Sequence, residues 1–417
     1  MTSWPSNMAA RLACRLLLAL LVLPAAAAAQ TLPGIDVLVA QNFAPVAGKR
    51  VGLVTNQTGV RRDFRQTTVE ALLATDRCQL TALYAPEHGI DGSVLAGDEV
   101  ANRSYRGIPV YSLYGPTKKP TPQMLKDIDV MLYDIQDIGV RSYTFISTLI
   151  KVMEGCAEAN IPLIVLDRPN PIGGDVIDGE VLDTAFRSFV GMVPVPYVYG
   201  LTVGELALMA NGEGWLSNGL KCELSVIQMA RWNRGMRWRE TGLQWIPPSP
   251  HIPTPEAGFA YAATGTLGEL GIISIGIGYT LPFELVGATW MDGEDFAKRL
   301  NSLDIDGIWF RKTSYKPLYG FSNGQVCNGV QIIRSDLRTA PFTACIAIMT
   351  TLRDAYPERK LFPPDTSSKW GMFNKVCGGN RLKQQLLSGA SFKTITDSWT
   401  SELNRFIGRR EEYLLYE

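Results

Sequence analysis

The sequence has little histidine and no cysteine pairs of the metal-binding kind. Of its 417 residues only two are histidines, His88 and His251, and none of the seven cysteines belongs to a C-x-x-C pair. Zinc ribbons and thioredoxin-like redox sites are therefore excluded, and few ways to build a Ser-His-Asp triad remain. Six cysteines follow residue 30, an even number that permits disulfides as well as free thiols.

Nucleotide-binding and metalloprotease motifs are also missing. No G-x-G-x-x-G follows the first predicted strand, and the chain has neither a Walker A nor an H-E-x-x-H motif. Its 40 basic and 40 acidic side chains balance, so it lacks the positive surplus that neutralises nucleic-acid phosphates. We therefore expect no cofactor and no metal ion, and neither a nucleotide nor a nucleic acid as partner.

The first 29 residues have the pattern of a secretory signal peptide. Arg11 and Arg15 precede a short apolar run from Leu16 to Leu23, and an alanine-rich stretch ends at Ala29. Positive charge, a short apolar run and small residues in this order are typical of a cleaved signal. No later stretch is long and apolar enough to span a membrane. The sequence thus predicts an exported protein, periplasmic or extracellular.

From residue 48 onward, short apolar strands alternate with helical segments. Strands are predicted over 50–55, 79–84, 108–113, 130–133 and 162–166, and helices over 68–74, 122–128, 141–160 and 200–212. This alternation predicts an α/β fold, with a Rossmann-like parallel sheet domain over residues 31–255. The proline-rich tract 247–255 marks the boundary to a smaller α+β domain over 256–417. That domain is predicted to contain strands over 307–312 and 329–334 and helices over 344–355, 381–387 and 395–407.

Polar residues follow the predicted strands directly. Ligands of open parallel sheets bind outside the carboxyl ends of the strands, so these side chains are expected along one edge. The residues concerned are Asn56, Glu87, His88, Asp134, Asp137, Asp167, Arg168 and Asn170. A single polar strand end more often meets solvent or caps a helix. Four strand ends that carry charged or amide groups together indicate a site.

The chemistry on offer is that of carboxylates, amides and arginines. Hydrolysis of a glycosidic bond needs one carboxyl group to protonate the leaving oxygen and a second group to assist water or the developing cation. Glu87 is the candidate acid and Asp134 or Asp137 the candidate second carboxylate. Each has a structural alternative: a cap or ion pair for Glu87, and an ion pair with Arg141, four residues on, for Asp137. His88 either assists Glu87, binds a sugar hydroxyl or is structural.

Two further sets suit a sugar ligand. Residues 167–170 (DRPN) combine a carboxylate, a guanidinium and an amide, which fits a sugar that carries a carboxylate. Four aromatic residues are candidates for stacking on sugar rings, although core packing is the commoner use of an aromatic side chain. They are Tyr197, Tyr199, Trp245 and Trp290.

Several stretches run in order through most of the chain and are recognisable together. They are residues 51–59 (VGLVTNQTG), 84–89 (YAPEHG), 133–141 (YDIQDIGVR), 167–174 (DRPNPIGG), 248–254 (PSPHIPT) and 282–284 (PFE). They resemble the NamZ/YbbC family of exo-β-N-acetylmuramidases. The resemblance implies a Rossmann-like domain and a smaller C-terminal domain with the active cleft between them. It also implies release of N-acetylmuramic acid from the non-reducing ends of peptidoglycan fragments, with Glu87 as the catalytic acid.

The strand-end pattern and the resemblance together give the candidate site residues. Those predicted to be catalytic are Glu87, His88, Asp134 and Asp137. Those predicted to bind substrate, a peptidoglycan-derived saccharide, are Asn56, Gln136, Arg141, Asp167, Arg168, Asn170 and His251.

The sequence also departs from the family. Where members usually read S-E-G-R-G, residues 274–278 read SIGIG, so two charged positions are Ile275 and Ile277. His251 stands where the family typically has asparagine. If the missing charges line the cleft, the alternative is a non-catalytic or altered-specificity protein that binds cell-wall sugars.

Overall fold

The computed structural model describes residues 30–335 and 339–417. The predicted signal peptide, residues 1–29, lies outside the described residues. Across the described ranges, no helix has both the length and the apolar character needed to span a bilayer.

The N-terminal part is built on one sheet of seven strands. These are β1 (Arg50–Thr55), β2 (Gln79–Ala85), β3 (Arg103–Tyr105), β4 (Ile108–Ser112), β5 (Val130–Asp134), β6 (Leu163–Leu166) and β7 (Leu224–Ile227). Their order is β3-β4-β2-β1-β5-β6-β7, and every neighbouring pair is parallel except β3 with β4. The predicted Rossmann-like α/β class is confirmed, with the correction that the edge strand β3 runs antiparallel.

Helices cover both faces of this sheet. They are α1 (Gly34–Ala40), α2 (Thr68–Ala74), α3 (Pro122–Leu125), α4 (Phe145–Ala159) and α5 (Val203–Gly212), with 310 turns at Ala44–Val46, Thr184–Phe186, Ser217–Gly219 and Trp238–Thr241. Successive residues of β5 pack into two different hydrophobic clusters. Val130 and Leu132 belong to the cluster that contains α1 and α2, and Met131 and Tyr133 belong to the cluster that contains α4 and α5. This burial on both sides explains why the strands read as continuous apolar runs rather than as alternating ones.

The C-terminal part contains a smaller sheet and seven helices among the described residues. Its elements are α6 (Pro255–Gly268), β8 (Leu285–Ala288), α7 (Gly293–Asn301), β9 (Ile308–Tyr315), β10 (Cys327–Arg334), α8 (Pro341–Ala355), α9 (Trp370–Cys377), α10 (Arg381–Leu387), α11 (Phe392–Asp397) and α12 (Thr400–Arg410), with 310 turns at Pro357–Arg359 and Glu411–Tyr413. The sheet is antiparallel in the order β8-β10-β9. The apolar residues of α6 and α8 join the same core cluster as α4 and α5, so the two parts share one hydrophobic core.

Two helix predictions need correction. The helix predicted over 141–160 begins only at Phe145, because residues 141–144 form turns rather than a helix. The single helix predicted over 395–407 is wrong: α11 ends at Asp397 and α12 begins at Thr400. Between them the chain turns to bury Trp399, which is 2% exposed. All six cysteines after residue 30 are free thiols.

The predicted start of α5 is confirmed in detail. Thr202 is the N-cap residue, its hydroxyl accepts a hydrogen bond from the Glu205 amide at 3.2 Å, and the Glu205 carboxylate accepts one from the Thr202 amide at 2.9 Å. The same hydroxyl donates to Asp167 at the end of β6, at 2.7 Å. One threonine therefore caps a helix and ties it to a strand end.

Replacing Thr202 by alanine is expected to lower the free energy of unfolding by about 1–2 kcal/mol, because α5 loses its cap acceptor. Urea denaturation followed by circular dichroism measures the change. Thr202→Ser, which keeps the hydroxyl, is the matched control and should stay close to the wild type. Equal stability of the alanine variant would contradict a capping role.

Candidate active site

The carboxyl ends of β1, β2 and β5 meet at the middle of the large sheet. The chain extends the sheet on one side of β1 through β2 and β4, and on the other side through β5, β6 and β7. Ligand crevices of open α/β sheets form where the strand order changes direction in this way. Glu87 follows β2 at this position, and Asp134 ends β5.

Glu87 is held by two hydrogen bonds in a largely buried position. Its Oε2 accepts from the Thr144 hydroxyl, and its Oε1 accepts from the Gly97 amide at 3.1 Å. The residue is 7% exposed, and it lines a cavity of about 440 Å³. The carboxyl group is therefore fixed in direction while it still faces open space, which general acid catalysis requires.

His88 lines the same cavity but is not bonded to Glu87. Its Nδ1 lies 2.7 Å from the carbonyl oxygen of Val94. A carbonyl only accepts, so Nδ1 carries the proton, and in the neutral ring Nε2 is left as an acceptor. His88 has a φ of +70°, a left-handed conformation that is uncommon outside glycine and that turns the chain sharply after Glu87. The predicted role of assisting Glu87 by direct contact has no hydrogen bond to support it.

The cavity is a cleft between the two parts of the chain. One wall comes from the N-terminal part, with Glu87, His88 and residues 142–144. The other wall comes from the proline-rich tract and from the helix and loops that follow it. Its residues include His251, Tyr261, Glu269, Ile275, Ile277, Phe283 and Phe321. Its volume lies in the range of about 300–1,000 Å³ that is usual for small-molecule sites.

Glu269 is a second carboxylate in the cleft and was not predicted. It lies directly after α6, and its partial burial raises its pKa above the ordinary value. The buried phenol of Tyr261 lies close enough to both Glu87 and Glu269 for each carboxylate to raise its pKa. Nothing in the sequence pattern around Glu269 distinguishes it from a surface residue at a helix end. Thr144, the partner of Glu87, also escaped prediction, although it follows the recognised stretch 133–141.

Asp134 is buried and does not line the cleft. Its carboxylate accepts from Arg168 through Nε at 2.5 Å and Nη2 at 3.0 Å, and from the hydroxyl of Thr68. Arg168 also donates to the carbonyl of Val60 at 2.9 Å. The Arg168 side chain is 5% exposed and that of Asp134 is 0% exposed, so this is a buried ion pair with its hydrogen-bonding capacity largely used.

Asp137 and Asp167 are likewise internal. Asp137 accepts from the Tyr199 hydroxyl and from the Gly139 amide, and burial raises its pKa to about 6. Asp167 accepts from Thr202, from the Gly204 amide at 2.9 Å and from the Tyr416 hydroxyl at 2.6 Å, and burial raises its pKa to about 6 as well. Both oxygens of Asp167 accept hydrogen bonds, whereas both bonds to Asp137 go to Oδ2 and its buried Oδ1 has no hydrogen-bond partner among the described residues.

The predicted amide residues shape the turns after the strands. Asn56 accepts from the amide and the hydroxyl of Thr58 at 2.9 and 2.6 Å. Asn170 accepts from the Ile172 amide and donates to the Leu201 carbonyl, each at 3.0 Å. Gln136 donates to the carbonyls of Asp137 and Pro169 at 2.7 and 2.8 Å. Side-chain bonds of this kind stabilise turns at strand ends.

Arg141 does not pair with Asp137, contrary to the structural alternative considered for it. The helix begins four residues later, and the guanidinium instead donates to the carbonyls of Glu180 at 2.6 Å, Val195 at 2.7 Å, Val376 at 3.3 Å and Cys377. Arg141 is 0% exposed, and burial lowers its pKa to about 10. It joins loops of the N-terminal part to the end of α9.

His251 and the two isoleucines of the family departure do line the cleft. The Nε2 of His251 lies 3.1 Å from the Tyr319 hydroxyl, and partial burial lowers the pKa of the imidazole. Ile275 and Ile277 lie on the wall opposite Glu87. Among the described residues that line the cleft there is no lysine or arginine.

The aromatic residues proposed for sugar stacking are the wrong ones. Tyr197 and Tyr199 are 0% exposed and Trp245 is 9% exposed, all within the main core. Trp290 packs against Tyr356 and beneath the guanidinium of Arg359. The rings that face the cleft belong to Tyr143, Tyr261, Phe283 and Phe321.

The fold and the cleft define a two-domain α/β protein with two carboxylates, those of Glu87 and Glu269, in the cavity between its parts. The model of the family described as "Exo-beta-N-acetylmuramidase NamZ" matches with its N-terminal domain over residues 51–256 and with its C-terminal domain over residues 259–416. The chain belongs to this family, as its sequence motifs predicted.

Individual proteins similar to this chain support the family assignment. The chain is 40% identical over 386 residues to the peptidoglycan β-N-acetylmuramidase NamZ of Bacillus subtilis, covering 92% of this chain and 91% of that protein. Two crystal structures of DUF1343 family proteins from Bacteroides fragilis are also similar. One has a TM-score of 0.87 and 44% sequence identity, and the other has a TM-score of 0.73 and 27% sequence identity. Each match covers 93% of this chain and 99% of the Bacteroides fragilis chain.

Asp134→Asn is expected to lower the free energy of unfolding by about 3–5 kcal/mol, because it leaves the guanidinium of Arg168 buried without a counter-charge. Chemical denaturation at neutral pH measures this. The control is Asp129→Asn, since Asp129 pairs with Arg50 at 2.8 Å where the side chains are 39% and 43% exposed. That exposed pair should contribute only about 0–1 kcal/mol. Similar losses in the two variants would contradict the framework role of Asp134.

Proposed function

We propose that this protein is an exported exo-β-N-acetylmuramidase that releases N-acetylmuramic acid from the non-reducing ends of peptidoglycan fragments. The observation that carries the proposal is Glu87, a glutamate fixed by Thr144 and Gly97 that faces the cleft of a NamZ-family fold. Export rests on the signal-peptide pattern of residues 1–29.

Glu87 acts as the general acid in this proposal. The Thr144 hydroxyl and the Gly97 amide orient its carboxyl group so that a proton on it reaches the glycosidic oxygen of a sugar in the cleft. Burial of the sugar excludes water from all but the reacting position. Nδ1 of His88 donates a hydrogen bond to the Val94 carbonyl. Its Nε2 can therefore accept a hydrogen bond from a sugar hydroxyl.

Glu269 is the second carboxylate of the proposed mechanism. It reaches the cleft from the opposite wall, where it can assist water or the acetamido group of the substrate. Asp134 and Asp137, the carboxylates expected for this role from the sequence, are bonded to Arg168 and Tyr199 and do not line the cleft. We assign to them, and to Arg168 and Asn170, the task of holding the strand ends in place.

Glu87→Gln is expected to reduce the release of N-acetylmuramic acid from a disaccharide of N-acetylmuramic acid and N-acetylglucosamine by roughly 10²–10⁴-fold, since the amide cannot protonate the leaving sugar oxygen. The loss should be smaller for 4-nitrophenyl β-N-acetylmuramide, because nitrophenolate leaves without a proton; the mature protein and the variant are assayed on both, with the glucosaminide analogue beside the muramide. Glu158→Gln, at an exposed glutamate paired with Lys119, is the matched control and should keep wild-type activity. A Glu87→Gln variant with wild-type activity would refute the assignment.

The second candidate function is an altered-specificity or non-catalytic protein that binds cell-wall sugars. The observation that favours it is the apolar wall formed by Ile275 and Ile277, together with the missing cation among the described lining residues. A lactyl carboxylate in this cleft meets two glutamates and no guanidinium. Wild-type protein that binds the muramide without cleaving it, or that prefers the glucosaminide, would support this candidate.

Ile277→Arg tests the wall directly. An arginine here restores a charge that the family usually carries, and a charge-assisted hydrogen bond to the lactyl carboxylate is worth about 1.5–3 kcal/mol. The ratio of kcat/KM for the muramide to that for the glucosaminide should therefore rise by roughly tenfold or more. Ile277→Met, which changes shape but not charge, is the control. An unchanged ratio would mean that position 277 does not face the lactyl group.

A further inference from the structure

A surface loop beside the cleft carries an unusual number of exposed apolar side chains. We call residues 316–326, which join β9 to β10, the rim loop. Four of the eleven exposed large apolar side chains among the described residues belong to it: Leu318 at 78%, Tyr319 at 52%, Phe321 at 44% and Val326 at 56%. A cluster of this kind on a surface indicates a binding surface rather than chance exposure.

The rim loop is anchored, so its exposed rings are held in place. The Leu318 amide donates to the Gly278 carbonyl and the Gly324 amide to the Pro317 carbonyl, both at 2.8 Å. Gly278 has a φ of +87°, and a Cβ atom there would lie 2.1 Å from the carbonyl oxygen of Tyr319. Only glycine permits this close approach. The loop is thus docked on the segment that carries Ile275 and Ile277.

The rim loop is continuous with the cleft. Phe321 is exposed on the surface and also lines the cavity that contains Glu87. The Tyr319 hydroxyl meets Nε2 of His251 at 3.1 Å, and the two rings lie 6.0 Å apart. A chain that leaves the cavity on this side passes directly over Tyr319 and Phe321.

The loop also matches the sequence motif G-x-S-x-G at Gly320–Gly324, but Ser322 is not a catalytic nucleophile. It connects two antiparallel strands, whereas the nucleophile elbow needs a strand-to-helix turn. Neither histidine is bonded to Ser322. The loop therefore serves binding rather than chemistry.

We propose that the rim loop is a subsite for the sugars on the leaving side of the scissile bond. The proposal rests on the function proposed above, in which the terminal sugar lies in the cleft and the rest of the glycan projects from its mouth. A β-linked N-acetylhexosamine ring carries its polar substituents around its edge and presents C–H groups on its faces, which pack on the rings of Tyr319 and Phe321. Asn323 and Gln325, both exposed on the loop, supply hydrogen bonds to acetamido groups.

The test compares a long and a short substrate in the full-length mature protein. The long substrate is a peptidoglycan tetrasaccharide with N-acetylmuramic acid at its non-reducing end, and the short one is 4-nitrophenyl β-N-acetylmuramide. The double variant Tyr319→Ala/Phe321→Ala should raise KM for the tetrasaccharide by roughly 3- to 10-fold, as loss of ring stacking implies, and by a clearly smaller factor for the muramide.

Two further variants separate stacking from general damage. Tyr319→Phe keeps the ring and loses only the hydroxyl that meets His251, so it should raise KM for the tetrasaccharide by less than the double variant does. Trp309→Ala removes a side chain that is 57% exposed on β9, outside the rim loop. It should change KM for neither substrate. An equal rise of KM for both substrates in the double variant would show a defect of the cleft and would overturn the subsite.

Calorimetric titration with the tetrasaccharide makes the subsite testable apart from turnover. If the wild type binds the tetrasaccharide without cleaving it, and the double variant binds it several-fold more weakly, the subsite stands and the proposed reaction fails. Equal affinities of the two proteins, or a wild type that does not bind the tetrasaccharide at all, would overturn the subsite.

Discussion

The buried ion pair of Asp134 and Arg168 shows the constraint on which the rest of the structure depends. A parallel sheet that is covered on both faces ends its strands inside the protein, and the polar groups there must find partners without water. Asp134 meets Arg168 and Thr68, and Arg168 in turn meets the Val60 carbonyl. Because both charges are removed from water here, the pair is stable only if each group keeps all of its hydrogen-bond partners. Asp134, Asp137 and Asp167 accept hydrogen bonds from protein groups, whereas Glu87, which follows β2, lines the cleft.

Buried polar contacts join the two parts of the chain that form the walls of the cleft. Arg141 joins the N-terminal loops to the end of α9 through four carbonyls. The C-terminal tail returns to the large sheet, where the Tyr416 hydroxyl donates to Asp167 and the Leu415 amide to Glu205. The two parts, which carry Glu87 and Glu269, also share one hydrophobic core.

The sequence predicts the local structure of this protein better than the use of its side chains. Apolar runs such as 130–133 and the threonine–glutamate spacing at Thr202 and Glu205 depend on neighbours in the chain, so the strands and the cap of α5 were predictable. Glu87 stood out because family motifs surround it. The direction in which Asp134 or Arg141 points depends on partners 34 to 236 residues away, as at Arg168 and Cys377, and no local pattern reveals that. Glu269 was missed for the same reason, since it reaches the cleft only through the packing of α6.

The cleft wall and the rim loop are coupled through one short segment. Residues 274–278 place Ile275 and Ile277 on the wall. The carbonyl of Gly278, in the same segment, accepts a hydrogen bond from the Leu318 amide of the rim loop. A change in this segment would therefore alter both surfaces at once. Ile275 and Ile277 place apolar surface on the cleft wall, and the rim loop adds exposed apolar side chains beside it. Under the function and the subsite proposed above, selectivity would depend on ring faces and shape more than on charge.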